Sequence, residues 1–566
     1  MCALSYAASN GDSQITLILM DAALKSLQSD RGILLQPLCS AAAAGQLTIV
    51  QIFLTAGADP AMLALPDFST YGAELPEALA SHEKIARILI EAGAPISQRD
   101  PWGRTALHFA AMKGNETMVR LLLDLGIDIS VADAIGQTEI CFASTMAVDI
   151  GALLFDEAAH SGHEAVLKLL VDRGVELSAA DRNGATALHR LCSKTGTIYE
   201  SMVQTLVSAG ADVSAATADG ITPLYLAAAE GSQTMVETLV NAGARPLIPS
   251  HDNFIDLKTP LEIGVEKGHE EVVRILLETL GDLPLSTLHN YKQKLLRSAC
   301  SKGHEGIALL LLNAGADPQS INEDGSNTLH DATAQGLERL AKNCISMGVD
   351  VSAQDSYGVT PLFVAAFHDQ LTIAQLLVDA GADICTPDEG GRTPLHVAVE
   401  NDCFSVVELL LDAGAPVSAQ NSFGQAPLHL AKAEVMPLLL RAGADVSMTD
   451  EKGRTALHLA VGTAIDESTV NLLLSNGAKT SAVDSNGSTA LHYAANGDDP
   501  YESMYGEKYS PLLYDRSKIW QQQVAVARLL LRAGGDATFV NKDGETALDL
   551  ARKMGNETLI EMLNSK

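Results

Sequence analysis

Asp100-Pro101-Trp102-Gly103-Arg104-Thr105-Ala106-Leu107-His108-Phe109-Ala110-Ala111, then Gly114, Leu121-Leu122-Leu123, Gly126 and Asp128, is one copy of a phrase that recurs along this chain. Another copy holds Asp355, Gly358, Thr360-Pro361-Leu362, Ala365-Ala366, Leu376-Leu377 and Gly381-Ala382-Asp383. Near-complete copies start close to Asp100, Asp181, Thr217, Asn322, Asp355, Asp388, Asn421, Asp450, Asp484 and Asn541. Weaker ones run from Leu38 to Asp59, from Leu65 to Pro95, and around Gly162-His163, Gly268-His269 and Gly303-His304. The period is about 33 residues and the chain holds about fifteen units.

Each recurring letter has a local task. Thr393 stands where a helix should begin, and its hydroxyl can accept from a free N–H of the first turn. Pro394 takes the first helical position, where a missing N–H costs nothing. Ala398 is small enough to let helices approach. Val406, Val407, Leu409 and Leu410 give a second helix an apolar face. Gly414 suits a left-handed C-terminal cap, and Ala415 to Gly424 carries the turn residues of a hairpin. One such unit cannot bury its apolar side alone, so neighbours must stack.

This phrase resembles the ankyrin-repeat family. The resemblance implies an all-α repeat solenoid of helix-turn-helix units with β-hairpin fingers. We expect an N-terminal helical cap over 1–37 and a continuous array over 38–566, with inserts at 139–159 and 497–523. It also implies a non-enzymatic scaffold that grips a protein partner with hairpin tips and the inner helix face. By motif position, the tips supply Trp102, Tyr357 and Phe423. The residue after the turn Gly supplies Arg104, and the one after the motif His supplies Phe109, Arg190 and Tyr493.

Composition narrows the partner. Apolar residues make up 47% of the chain but aromatics only 4%, which fits Ala/Leu/Val cores rather than a ring-lined cofactor pocket. The net charge of −32 repels phosphate backbones, so nucleic acid is not expected. The acidic field favours a basic protein surface and also keeps an apolar-rich stack in solution. Asp219, Asp324, Asp331 and Glu389 are acids placed to meet Lys or Arg. No cofactor and no metal is expected. The eight cysteines form no C-x-x-C pair and read as reduced core thiols. No apolar run is long enough for a membrane span, and residues 1–30 lack a signal-peptide pattern. A monomer in the cytoplasm or nucleus is expected.

The histidines invite a metal reading. Seven close the helix-start motif, one per repeat: His108, His189, His330, His396, His429, His458 and His492. By resemblance they are structural, as are His163, His269 and His304 after the inter-helix Gly. No phosphate-binding loop, kinase signature or nucleophile elbow is present.

Interruptions carry the rest. Thr105 to Gly114 is nine residues, but Thr138 to Gly162 is twenty-four. The insert between Gly497 and Gln523 holds Tyr501, Tyr505 and Trp520, aromatics in a chain poor in them, and inserts tend to map to a binding face. A second reading makes the inserts a pocket with Asp156, Glu157, His160, Asp498, Asp499 and Tyr505 as its working groups. Tyr291 to Leu296 replaces the usual helix start, and the repeat after Asn421 is shortened, with Pro437 before its leucines.

Overall fold

The computed structural model describes residues 2–26, 31–64, 75–134, 137, 156–246, 258–280, 285–463, 467–496 and 516–565. The chain forms two compact units, Met1–Pro284 and Leu285–Lys566. Both are built from short antiparallel helix pairs. Among the described residues there are seven complete pairs in the first unit and eight in the second. The hairpins between pairs are held by turns; among the described residues three isolated bridges occur, such as Thr449 with Thr455.

The repeat after Asp388 shows why the sequence folds this way. Its first helix is Pro394–Glu400, with proline at the permitted start. Its second is Phe404–Asp412, and Val406, Val407 and Leu410 are buried on the side that meets the first helix. Ala398 is fully buried. Gly414 ends the unit at φ 90°, the left-handed geometry expected of its cap. Neighbouring first helices pack on one another, as do neighbouring second helices, so the core runs through each unit rather than sitting at a centre.

The turn between the two helices needs glycine for a reason beyond its own backbone. A side chain at Gly231 would strike the His269 ring of the next repeat at 2.5 Å, and one at Gly114 would meet His163 at 2.9 Å. Those histidines use the space. His269 Nε2 bonds the Ala229 carbonyl at 3.0 Å, and His163 Nε2 bonds the Met112 carbonyl at 2.9 Å. The Gly-His pair is therefore a joint between repeats.

The irregular repeats take definite forms. A break was expected at Gly162-His163, yet one helix runs unbroken over Asp156–Asp172. Of the insert at 139–159, only the opening of that helix falls within the described residues. Tyr291 to Leu296 lies inside the seventeen-residue helix Leu285–Ser301. There Arg297 donates to Ser320 Oγ at 3.3 Å and to the Ile321 carbonyl, reaching the next finger where no Thr-His start exists to do so. The shortened repeat has a first helix of four residues, Pro427–Leu430, and a second of six, Met436–Arg441.

The larger insert does not separate the repeats that flank it. Lys542 N donates to the Asn486 carbonyl at 2.9 Å, and helix Ala490–Asn496 packs directly on Ala547–Met554. The last part of the insert, from Arg516, belongs to the helix Arg516–Arg532.

Candidate protein-binding surface

Fingers are built alike. At each of the ten repeat starts read from sequence, the backbone N–H of the first residue donates to the carbonyl four residues on, for example Asp100 to Arg104 at 3.0 Å and Asp355 to Val359 at 3.0 Å. An eleventh finger, Asp133 to Gln137 at 2.8 Å, stands just ahead of Thr138. The first side chain seals the turn. Asp450 Oδ1 accepts from the N–H groups of Lys452 and Arg454, and Asp484 Oδ1 from those of Asn486 and Ser488.

Successive fingers are then zipped together. In the second unit Ser356 N donates to Asp324 O, Glu389 N to Tyr357 O, Ser422 N to Gly390 O, Glu451 N to Phe423 O and Ser485 N to Lys452 O, all at 2.7–3.0 Å. The tip backbone is thereby fixed, while the rings of Tyr357 and Phe423 at these tips stay exposed.

Beneath the fingers lies the histidine relay. Thr393 N–H donates to His396 Nδ1 at 3.1 Å, so Nδ1 is the acceptor and the proton sits on Nε2. That Nε2–H donates to the Gln425 carbonyl of the next repeat at 3.0 Å. The Thr393 hydroxyl, expected to accept from the first helical turn, pairs with His396 Nδ1 at 2.9 Å. Where no His follows, the simple cap returns: Thr360 Oγ1 accepts from Phe363 N at 3.2 Å. His108, His189, His330, His429, His458 and His492 make the same inter-repeat reach. All seven rings are held neutral, their pKa values lowered first by burial; that of His108 falls to about 4. Ligating a metal would require breaking this relay. Among the described residues, no three His, Cys, Asp or Glu side chains gather as a metal site.

The residues proposed to meet a partner fall into three groups. Trp102, Tyr357 and Phe423 stand at tips and are exposed by 63%, 58% and 48%. Arg104, Arg190 and Tyr493 instead hold their own fingers. Arg104 Nε donates to Asp100 Oδ2 at 2.7 Å, Arg190 binds Asp181 Oδ2, and Tyr493 OH donates to Asp484 Oδ2 at 2.8 Å. Each is still half-exposed, so each presents one edge outward. Phe109 is buried, with Arg104 lying 4.5 Å over its ring and 4.9 Å from the Trp102 ring. It supports Arg104 rather than offering surface itself, because the Asp100 tether draws the guanidinium across it.

The third group belongs to the insert. Trp520 is half-buried on the helix Arg516–Arg532, while Tyr501 and Tyr505 lie outside the described residues. Of the groups named for a pocket, Asp498, Asp499 and Tyr505 lie outside them too, and Asp156, Glu157 and His160 are described only as backbone of one helix.

Among the expected acids, Asp219, Asp324 and Glu389 are exposed at fingertips, joined by Glu323 and Glu451 but also by Lys452 and Lys542. Asp331 differs. It is half-buried on the helix Thr328–Ala334, and burial raises its carboxyl to about 6 against the pull of Arg297. Cys39, Cys192, Cys300, Cys344 and Cys403 are buried and Cys385 is exposed, and burial pushes the Cys192 and Cys300 thiols well above their usual range.

Stacked helix pairs with zipped fingers define a repeat solenoid in each unit. A family model for ankyrin repeats matches residues 77–143, 154–250, 199–286, 295–388, 329–421, 385–446 and 428–503, more than half the chain, and the chain belongs to the ankyrin-repeat family. It is similar to Protein HOS4 of Saccharomyces cerevisiae, at 34% identity over 107 residues, which is 19% of this chain and 9% of that protein. Among solved structures it is similar to the ankyrin repeat domain of Bcl-3, described as a unique member of the IkappaB protein family. That match has 29% identity and a TM-score of 0.35, and covers 43% of this chain and 100% of that one. Ankyrin repeats are generally protein–protein interaction modules. No helix among the described residues is long and apolar enough to cross a membrane.

Proposed function

We propose that the protein is a non-enzymatic interaction scaffold, a monomer of the cytoplasm or nucleus, capped by residues 1–37. It binds a protein partner with a basic surface through its fingertips and inner helix face. The observation that carries this reading is the exposure of Trp102, Tyr357 and Phe423 on tips whose backbone is already fully bonded. Large rings on a rigid support lose little freedom on binding, and such rings dominate interface energies. The exposed fingertip acids Asp219, Asp324 and Glu389 suit Lys and Arg on the partner.

The test is affinity purification with mass spectrometry on the full chain and on the triple variant Trp102→Ala, Tyr357→Ala, Phe423→Ala. The reading expects a specific set of proteins with basic surfaces, lost or reduced at least tenfold by the variant. An unchanged set, or turnover of a small molecule by the purified chain, overturns it.

A further inference from the structure

The opposite edge of the repeats, where first and second helices turn into one another, is distinctive in two adjoining repeats of the second unit. Seven second helices begin with an acid: Glu83, Glu116, Glu270, Glu305, Glu338, Glu467 and Glu557 each open one. Others open on Thr197 or Gln233, or on an apolar residue that is covered, Leu47 half-buried and Met436 buried. A carboxylate there complements the positive end of the helix, worth about 0.3–1 kcal/mol. The helices Leu371–Asp379 and Phe404–Asp412 open instead on Leu371 and Phe404. Both are exposed, by 42% and 46%, so neither gains burial in return. Phe367, the last residue of the helix Pro361–Phe367, adds a ring 52% exposed just before Leu371. Other repeats carry Ala229, Glu266, Ala334 or Glu400 at that place.

The same two turns depart in backbone as well. Asp369 and Asp402 adopt φ 55° and 57°, the only residues other than glycine at positive φ among those described. Elsewhere Gly114, Gly231, Gly268 and Gly336 fill this site. A non-glycine residue there costs about 1 kcal/mol or more, and aspartate is among the few that tolerate it. The effect is to set carboxylates beside exposed apolar side chains. The buried Cys403 lies against Asp369, so the two turns adjoin. Glu400 pairs with Arg392 at 3.6 Å and Asp402 with Lys432, while Asp369 is exposed. The next repeat is the shortened one, whose four-residue first helix ends well before the turn that Pro394–Glu400 reaches.

We propose that Phe367, Leu371 and Phe404, rimmed by Asp369 and by the ion pairs of Glu400 with Arg392 and Asp402 with Lys432, form a second docking surface, distinct from the fingertips, for a short partner segment of apolar side chains with a Lys or Arg that meets Asp369. Three exposed side chains make a contact suited to a peptide-sized segment. A second copy of this chain is disfavoured as occupant, because two such edges would bring like charges together in a molecule of net charge −32.

The probe is a displayed library of 16-residue peptides, panned against the full chain. The expected outcome is enrichment of peptides that pair apolar residues with Lys or Arg. Their affinity falls at least tenfold for the double variant Leu371→Glu, Phe404→Glu and for Phe367→Ser. It is retained by the Trp102, Tyr357, Phe423 alanine variant, which separates this surface from the fingertip reading. The double variant restores the residue type that opens other second helices, so its melting temperature should not drop; Phe367→Ser checks the surface without touching either helix start. No enrichment, enriched peptides lacking basic residues, or binding unmoved by both variants overturns the proposal. So does a concentration-dependent dimer in sedimentation that the double variant abolishes, which would make a second copy the occupant.

Discussion

The finger base and the inter-helix turn edge are two ends of the same repeats, and they obey different rules. At the base, an Asp or Asn seals the turn, a Thr or Asn opens the helix and a neutral His reaches the next repeat. These groups are buried, and their bonds recur almost unchanged. At the turn edge the residues that open second helices are mostly uncovered, and the chain varies them, with Glu, Gln, Thr, Leu and Phe among them. A buried polar group that loses its partner costs its desolvation, so these positions are constrained. Exposed positions carry no such penalty and are free to be spent on recognition.

The strongest way to break this contrast is at Asp450, whose carboxylate and its partner Arg454 are 1% and 4% exposed. Asp450→Ala leaves a buried guanidinium unpaired, and we expect a loss of about 3–5 kcal/mol in urea unfolding. Asp388→Ala should cost less, since Arg392 is 40% exposed and can turn to water. Equal losses would show that the finger base is less uniform in solvation than its bonds suggest.

The next effect is on pH. The seven relay histidines have folded pKa values below the usual 6.5, so the unfolded chain takes up protons first as pH falls. Stability is then full above pH 7 and is lost below about 6.5 toward the folded value, about 4 for His108, at up to about 1.4 kcal/mol per pH unit for each ring. Asp331 works the other way. Its folded value is raised to about 6, so protonation there returns some stability as pH falls through that point. Urea midpoints at pH 8, 7, 6 and 5 read the sum, and a flat profile from 7 to 5 would mean the rings are protonated within the fold.

The smallest effect is at the edge. Leu371→Glu should raise stability by about 0.3–1 kcal/mol at low salt, through the helix dipole alone, and the gain should fade with added salt. A clear loss would mean Leu371 is needed for packing after all.

Legibility in the sequence followed the same divide. The finger base spells itself out, and all ten starts read from Asp100 to Asn541 carry the expected turn bond. The finger at Asp133 is harder to see, because no Leu-His follows Thr138. The tips were legible too: Trp102, Tyr357 and Phe423 are outside, as their place in the motif implied. The tethers of Arg104, Arg190 and Tyr493 were not, since a carboxylate four or nine residues away becomes a neighbour only once the hairpin folds back over the helix. The apolar edge at Leu371 and Phe404 was hidden for a similar reason. A leucine or phenylalanine beside a run of leucines reads as core until the first residue of the helix is known.

The bond from Lys542 to Asn486 has a practical corollary. Because the stack closes across the interval between Asn496 and Arg516, chain length there is uncoupled from repeat register. That interval is a natural cassette site: a fluorescent tag or a foreign domain spliced into it should leave the helices on either side seated as they are, and a short splice joining the two ends should do the same.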